Sequence, residues 1–212
     1  VHKQAYVCTP RALIIGGGLS GMTAALAIAD SGYDVTLVER SDMLGGNLQN
    51  LYYVAEGYNP RRLGRDLINR VRAHRRITTY LRTEVIHHGG HVGNFWAELS
   101  TLNSDGTADT FHIEHGVTIV ATGGRETRDH PLLALPQVIT QSELEEKIIH
   151  NPQEIANLKN VVMIQCALVP GATNYCSRVC CTNAMKNAIR LKLFNPQCRV
   201  TVLYKNIVTY GF

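Results

Sequence analysis

Apolar positions along the chain switch between strand-like and helix-like spacing, and each switch marks an element. Residues 12–15 (ALII) are a short apolar run that ends in glycine, which predicts a buried parallel strand. Residues 20–30 follow as a helix with an alanine-rich buried face, and residues 34–38 as a second strand. Residues 48–58 show no clear period and read as a loop. Asn59-Pro60 then opens a helix, Asn as N-cap and Pro at the first helical position, with Leu63, Leu67, Ile68 and Val71 as its buried stripe. From 77 to 113 the period falls to two: ITTYL and TEVI are strands, and NFWAELST and FHIEHG flank a polar turn at 103–106 as a hairpin. These strands predict a β-meander over about residues 77–116, inserted ahead of a last strand at 117–121. Thr140 with Glu143 three residues on is a capping box; its helix ends near His150, where Asn151-Pro152 stops it. After a polar bridge at 157–160 come a strand at 161–165, a helix at 182–194 with Ala184, Met185, Ala188, Ile189 and Leu193 on one side, and a strand at 199–204.

The first strand–helix–strand segment carries chemistry at its turns. Gly16, Gly18 and Gly21 fall in G-x-G-x-x-G spacing between strand and helix. The first glycine permits the tight turn, the second lets a pyrophosphate approach the backbone, and the third lets helix pack on strand. Ser20 opens the helix, whose free N–H groups and positive dipole end face the phosphate. Glu39 ends the second strand and can accept both hydrogens of a ribose diol. This favours NAD or FAD over a 2′-phosphorylated cofactor, with Arg40 beside it as the contrary sign. The fold class expected is α/β: a Rossmann-like FAD-binding domain at 1–156 with the inserted meander, then a partial second Rossmann-like βαβ unit at 157–212.

Composition narrows the picture in a few places. The apolar content is ordinary for a soluble α/β protein, and no segment approaches the roughly 18 apolar residues that cross a bilayer. The opening VHKQAYVCTP lacks the apolar core of a signal peptide, so the cytoplasm is the expected compartment, with no direct membrane insertion. A net charge of +4 is not gathered into a basic run with interleaved aromatics, which argues against nucleic acid as a partner. Arg61, Arg62, Arg65, Arg70, Arg72, Arg75 and Arg76 crowd one helix and its end; they are a solvated face or a docking surface for an acidic, ferredoxin-like donor. His87, His88 and His91 stand around Gly89-Gly90, read as a turn, where exposure explains them as well as a metal does. Phe95 and Trp96 point to opposite faces of one strand, which places one of them in the core.

Of the six cysteines, Cys8 and Cys198 stand alone, while Cys166, Cys176, Cys180 and Cys181 occupy the loop and helix start where the second βαβ unit would carry a phosphate loop. Four thiolates so placed suit zinc or an iron–sulfur cluster. A dithiol redox pair and inert buried cysteines are the alternatives. The spacing matches neither a C-x2-C zinc knuckle nor the plain ferredoxin run.

The continuation RSDMLGGN, with Gly45, Gly46 and Asn47, resembles the E-R-x-x-x-x-G-G segment of FAD-binding disulfide-reductase-like flavoproteins. VTIVATGG, with Ala121, Thr122, Gly123 and Gly124, resembles the strand end that closes the flavin site in those families. VVMIQC and NYCSRVCCTNAMKNAIRLKLFNPQCRVTVLYKNIVTYGF resemble the A-type subunit of heterodisulfide reductase, a flavin and iron–sulfur protein related to flavoprotein subunits of quinone-interacting membrane-bound oxidoreductases. ALIIGGGLSGMTAALAIADSGYDVTLVER, LGGN, HVGNFWAEL and IVATGGRE share that likeness; ALVPGATN at 167–174 departs from it. The resemblance implies an FAD-dependent oxidoreductase subunit that relays electrons between FAD and a 4Fe–4S cluster, among other redox subunits of a larger complex. It implies FAD contacts at Gly16, Gly18, Leu19, Ser20, Gly21, Glu39, Arg40, Gly45, Gly46, Asn47, Val85 and Ala121 to Gly124, and cluster ligands at Cys166, Cys176, Cys180 and Cys181. It names no acid–base catalyst. Members of that family continue beyond this point, so the chain is expected to be a fragment. Two other readings remain: an NAD(P)H-dependent disulfide oxidoreductase using a cysteine pair, and a non-enzymatic flavin-binding docking subunit with structural zinc.

Overall fold

Arg11–Ile15 (β1) is the strand against which the first unit is built. It is followed by Leu19–Asp30 (α1), Asp34–Val38 (β2), Pro60–Ala73 (α2), Ile77–Tyr80 (β3), Thr83–His91 (β4), Asn94–Leu102 (β5), Ala108–His115 (β6) and Val117–Val120 (β7). The structure, a computed structural model, describes residues 7–126, 128–167 and 176–209. Four strands lie in the order β3-β2-β1-β7, every pair parallel; α1 and α2 make the crossovers from β1 to β2 and β2 to β3, and the meander leads back to β7 beside β1. On one face Ile14 and Leu37 pack with Met22, Ala25 and Leu26 of α1 and Leu67 and Val71 of α2. On the other, Leu13 and Val38 meet Ala97, Leu99 and Ile113 of the antiparallel meander β4-β5-β6. Both faces of β1 and β2 are thus covered, which is why residues 12–15 and 35–38 are apolar except for Thr36.

The expected α/β class and the first βαβ unit are borne out, with local corrections. Residues 77–80 belong to the parallel sheet and not to the meander, which begins at Thr83. The Gly89-Gly90 pair is not a turn: both lie inside β4, after a register shift between Val85 and His87, and the chain reverses at Val92–Gly93. Leu67, Ile68 and Val71 of the expected stripe face the core, but Leu63 is exposed and Gly64 takes the buried place one turn before Leu67.

The meander also buries a titratable group. His115 is fully buried, its Nε2 is 2.8 Å from Thr118 Oγ1, and His88 Nε2 is 2.9 Å from the same oxygen. Burial pushes the His115 imidazole down to about 4, and the neighbouring His88 adds to the shift. Between its ordinary 6.5 and that value, the unfolded chain holds a proton that the folded one does not. Stability of this unit is therefore expected to fall as pH drops through that window. Urea midpoints recorded across it should decline in the native chain and flatten in His115→Gln.

The second unit is discontinuous: Asn50–Pro60 join Arg125–Phe212, while Val1–Gln49 and Arg61–Gly124 make the first. It holds Gln141–His150 (α3), Pro152–Ala156 (α4), Asn160–Ile164 (β8), Val179–Phe194 (α5) and Arg199–Leu203 (β9), with β8 and β9 parallel. The boundary expected at 156 falls inside this unit, because Leu144, Ile148 and Ile155 share one core with Met163, Ala184 and Leu191. Pro152 does not only end a helix; it occupies the first turn of α4. Ile189 and Leu193 are exposed, whereas Lys186, Asn187 and Leu191 are buried, so the inward face of α5 is rotated from the one expected.

The capping box is present: Thr140 accepts from the Glu143 N–H at 3.2 Å, and Glu143 accepts from the Thr140 N–H at 2.8 Å. Thr140→Ala should lower stability by about 1 kcal/mol, read from the urea midpoint.

Lys186 and Glu145, 4% and 5% exposed, form an ion pair at 2.6 Å. Glu145 accepts the backbone N–H of Tyr52 at 2.6 Å, Lys186 donates to the Tyr53 carbonyl at 3.2 Å, and the Tyr53 hydroxyl donates to Asn187 at 2.6 Å. Residues 50–60 are thereby tied to α3 and α5.

Candidate functional site

The turn between β1 and α1 is shaped by what its glycines would collide with. Gly16 has φ +110°, and a Cβ there would overlap the Ala121 carbonyl. A Cβ on Gly21 would overlap the carbonyl of Gly16, so the first turn of α1 lies directly on the end of β1. Gly18 differs from both: a Cβ would meet nothing within 4 Å. It is the N-cap of α1 and gives no side-chain hydrogen bond to the N–H groups that follow, so the turn keeps donors for an anion. Leu19 and Ser20 lie in that first turn, exposed.

Glu39 sits beside this turn. Its Oε2 accepts the Gly17 N–H at 2.7 Å, and its Oε1 accepts from the Ser41 N–H and hydroxyl at 2.9 and 2.8 Å. Burial pushes the carboxyl up, but hydrogen bonds from Ser41 and Gly17 outweigh it and leave the group below its ordinary range. A carboxylate fixed in this way keeps further lone pairs for two sugar hydroxyls. Gly17 and Ser41 are site residues that the glycine spacing does not point to; the Ser two residues after the acid is the available signal. Arg40 follows, exposed.

Gly45 has φ +120° and Gly46 φ +50°. A Cβ on Gly46 would come 3.0 Å from Gly18 Cα, so Gly46 faces the first glycine turn, and Gly45 donates its N–H to the Gly17 carbonyl at 2.9 Å. Asn47 lies in the short 3-10 helix Gly46–Gln49. Ala121 donates its N–H to Ile15 at 2.8 Å, and Thr122, Gly123 (φ +70°) and Gly124 continue without regular structure from the end of β7. The structure thus brings residues 16–21, 39, 45–46 and 121 together at the carboxyl end of the parallel sheet, where open α/β sheets bind their ligands. Val85 lies in β4, packed against the Leu13–Val38 face. The bare glycine surface, the uncapped helix end and the fixed acid fit a dinucleotide with an unphosphorylated ribose.

The residues at 12–122 match the family model for FAD dependent oxidoreductases. The chain belongs to that family. It is similar over 95% of its length to the A-type subunit of Ferredoxin:CoB-CoM heterodisulfide reductase from Methanosarcina acetivorans, at 24% identity over an alignment of 332 positions. It is likewise similar over 96% of its length to the second A-type iron-sulfur subunit of CoB–CoM heterodisulfide reductase from Methanopyrus kandleri, at 24% identity. The chain spans 41% and 44% of those two proteins. The first alignment runs over more positions than this chain has residues, so that relative carries additional segments within the matched span. Among solved structures, L-proline dehydrogenase from P. horikoshii shares the fold, with a TM-score of 0.53 at 18% identity over 91% of this chain and 34% of that one. The resemblance to the heterodisulfide reductase A-type subunit is borne out, and the family makes this an oxidoreductase that uses FAD.

The cysteines lie in the second unit. Cys166 (φ +54°) follows β8, Cys180 and Cys181 lie in the first turn of α5, and Cys176 is exposed just before it. The thiols of Cys166 and Cys181 both donate to the carbonyl of Asn206, at 3.6 and 3.8 Å. Backbone hydrogen bonds at Asn206 and Lys205 hold the Cys166 thiol below its ordinary value. Burial pushes the Cys180 thiol up, and Cys181 and Cys166 nearby add to it. Cys166, Cys180 and Cys181 are therefore neighbours, with soft donors of the kind an iron–sulfur cluster takes. Among the described residues, however, no three His, Cys, Asp or Glu side chains stand in a metal-holding arrangement. Of the expected loop departure at 167–174, all but Ala167 lies outside the described residues.

The histidines do not converge. His87 is 3.9 Å from Glu98, whereas His88 turns to Thr118 on the other side of the strand. Trp96 is exposed, with its ring over Gly89, and Phe95 stacks on His115. Among the described residues no helix is long and apolar enough to cross a membrane.

Proposed function

We propose that this chain is an electron-transfer flavoprotein module of a heterodisulfide-reductase-A-like complex. The observation that carries the reading is the open face of Gly18, set between the uncapped start of α1 and the Gly45–Gly46 pair, with Glu39 fixed alongside. The backbone N–H groups of residues 18–21 would hold the FAD pyrophosphate and Glu39 the ribose. Gly45, Gly46, Asn47 and residues 121–124 would line the remainder, and Val85 would contribute backbone near the adenine. When bound, FAD supplies the redox chemistry; the protein supplies position and electrostatics. Cys166, Cys180 and Cys181, with Cys176 as the fourth, are proposed to ligate a 4Fe–4S cluster that exchanges electrons with it. The convergence of two thiols on Asn206 and the iron-sulfur name of the Methanopyrus relative support this part. Other redox subunits, and an acidic ferredoxin-like donor at the arginine-rich helix, are the proposed partners, in the cytoplasm.

Anaerobic reconstitution followed by iron, sulfide and visible-absorption analysis tests the cluster. About four irons and four sulfides per chain are expected, with loss of both in Cys180→Ala/Cys181→Ala. Flavin without iron would favour a dithiol pair, and zinc would end the electron-relay role.

A further inference from the structure

A cavity of about 530 Å³ opens between the segment 43–49 and α2, within the first unit. Its floor is apolar, made by Leu44, Leu48 and Ile68, and its rim carries Arg65, Asn69 and Arg72. Ile68 and Arg72 are one helical turn apart and Arg65 nearly one turn earlier, so the two guanidiniums stand on the same face of α2. Neither arginine has a hydrogen bond or ion pair among the described residues, whereas Arg62, Arg70 and Arg76 are paired with Asp66, Asp30 and Asp34. One wall is fixed, since Gln49 donates to the Leu44 carbonyl at 2.7 Å and Arg61 to the Gln49 carbonyl at 3.3 Å.

The cavity turns away from the cofactor turn. A Cβ on Gly46 would point at Gly18, but one on Gly45 would point at Gln49 and Ile68, into the cavity wall. The Gly45–Gly46 ribbon therefore has the glycine turn on one side and this cavity on the other. A volume of this size is that of a small-molecule site, with an apolar body and a few polar groups that fix orientation. Two unpaired guanidiniums above an apolar floor select the polar part: an oxyanion bound by charge-assisted, forked hydrogen bonds.

We infer that this cavity is a second binding site, separate from the cofactor site, for an organic anion that carries a phosphate or carboxylate on an apolar body. The inference does not depend on the iron–sulfur reading.

The fluorescent anion 1-anilinonaphthalene-8-sulfonate, titrated into the whole chain, serves as the probe. Arg65→Glu/Arg72→Glu should weaken its binding at least about tenfold, as loss of a charge-assisted hydrogen bond implies. Arg62→Glu/Arg75→Glu, of the same charge change on the same helix and its end, should leave binding within about twofold, as expected of exposed charges. Phenyl phosphate or benzoate should displace the probe, and the stronger of the two assigns the anion. Inorganic phosphate and FAD at equal concentration should not. Equal loss in both double variants, displacement by neither aromatic anion, or displacement by inorganic phosphate or by FAD would each overturn the inference; displacement by FAD would assign the cavity to the cofactor.

Discussion

Gly18→Val is expected to fold like the native chain and to bind FAD at least about a hundredfold more weakly, a change of about 2.7 kcal/mol. Gly21→Ala is expected to fail in the opposite way. At Gly18 the backbone is extended (φ −77°, ψ −169°), a conformation a β-branched residue adopts, and the space beyond its Cα is open. The valine would stand where the pyrophosphate must approach the α1 N–H groups. At Gly21 a single methyl would overlap the Gly16 carbonyl, and both partners are backbone, so α1 would have to lift off β1. That displacement disturbs Met22, Ala25 and Leu26, the buried face of α1. Its cost should exceed about 4 kcal/mol, in the severe range for a single substitution. Urea unfolding and FAD titration on the two variants separate the roles. Native affinity in Gly18→Val would remove the pyrophosphate from this turn, and native stability in Gly21→Ala would contradict the packing of α1 on β1.

Lys186→Met should carry the largest stability loss in the second unit. Removing the lysine leaves the Glu145 carboxylate 5% exposed without its counter-ion, a defect of about 3–5 kcal/mol. The Tyr53 carbonyl loses its donor as well. Glu145→Gln/Lys186→Met keeps an acceptor for the Tyr52 N–H and removes the stranded charge, so it should recover most of the loss. A single variant within about 1 kcal/mol of the native chain, the range of an exposed pair, would show that this pair is solvated.

This second network is not legible from the sequence. Glu145 and Lys186 read as ordinary charged residues of amphipathic helices, and nothing in residues 48–58 announces a segment that joins a unit beginning again at 125. By contrast, the first βαβ unit is readable almost to the residue, because glycine spacing, a short apolar strand and a terminal acid are each tied to one local geometry. The capping box and the 103–106 hairpin turn are readable for the same reason. The errors fall where one signal serves two structures. A proline suits a helix end and a helix start, so α4 is missed at Pro152. Paired glycines suit a turn and a bulged strand, so Gly89 and Gly90 are misplaced. ITTY carries no mark that distinguishes a parallel edge strand from a meander strand. At the candidate site, the glycines and Glu39 are evident from the sequence, while Gly17 and Ser41, which fix the acid through backbone donors, are not.

The measurement that tests the central claim most directly is the identity and stoichiometry of the dinucleotide held by the chain. Protein purified anaerobically and incubated with FAD, then desalted and denatured, should release FAD at one per chain, and Gly18→Val should release almost none. Release of NAD in preference to FAD, or equal FAD from the native chain and Gly18→Val, would contradict the assignment of this glycine turn to a flavin.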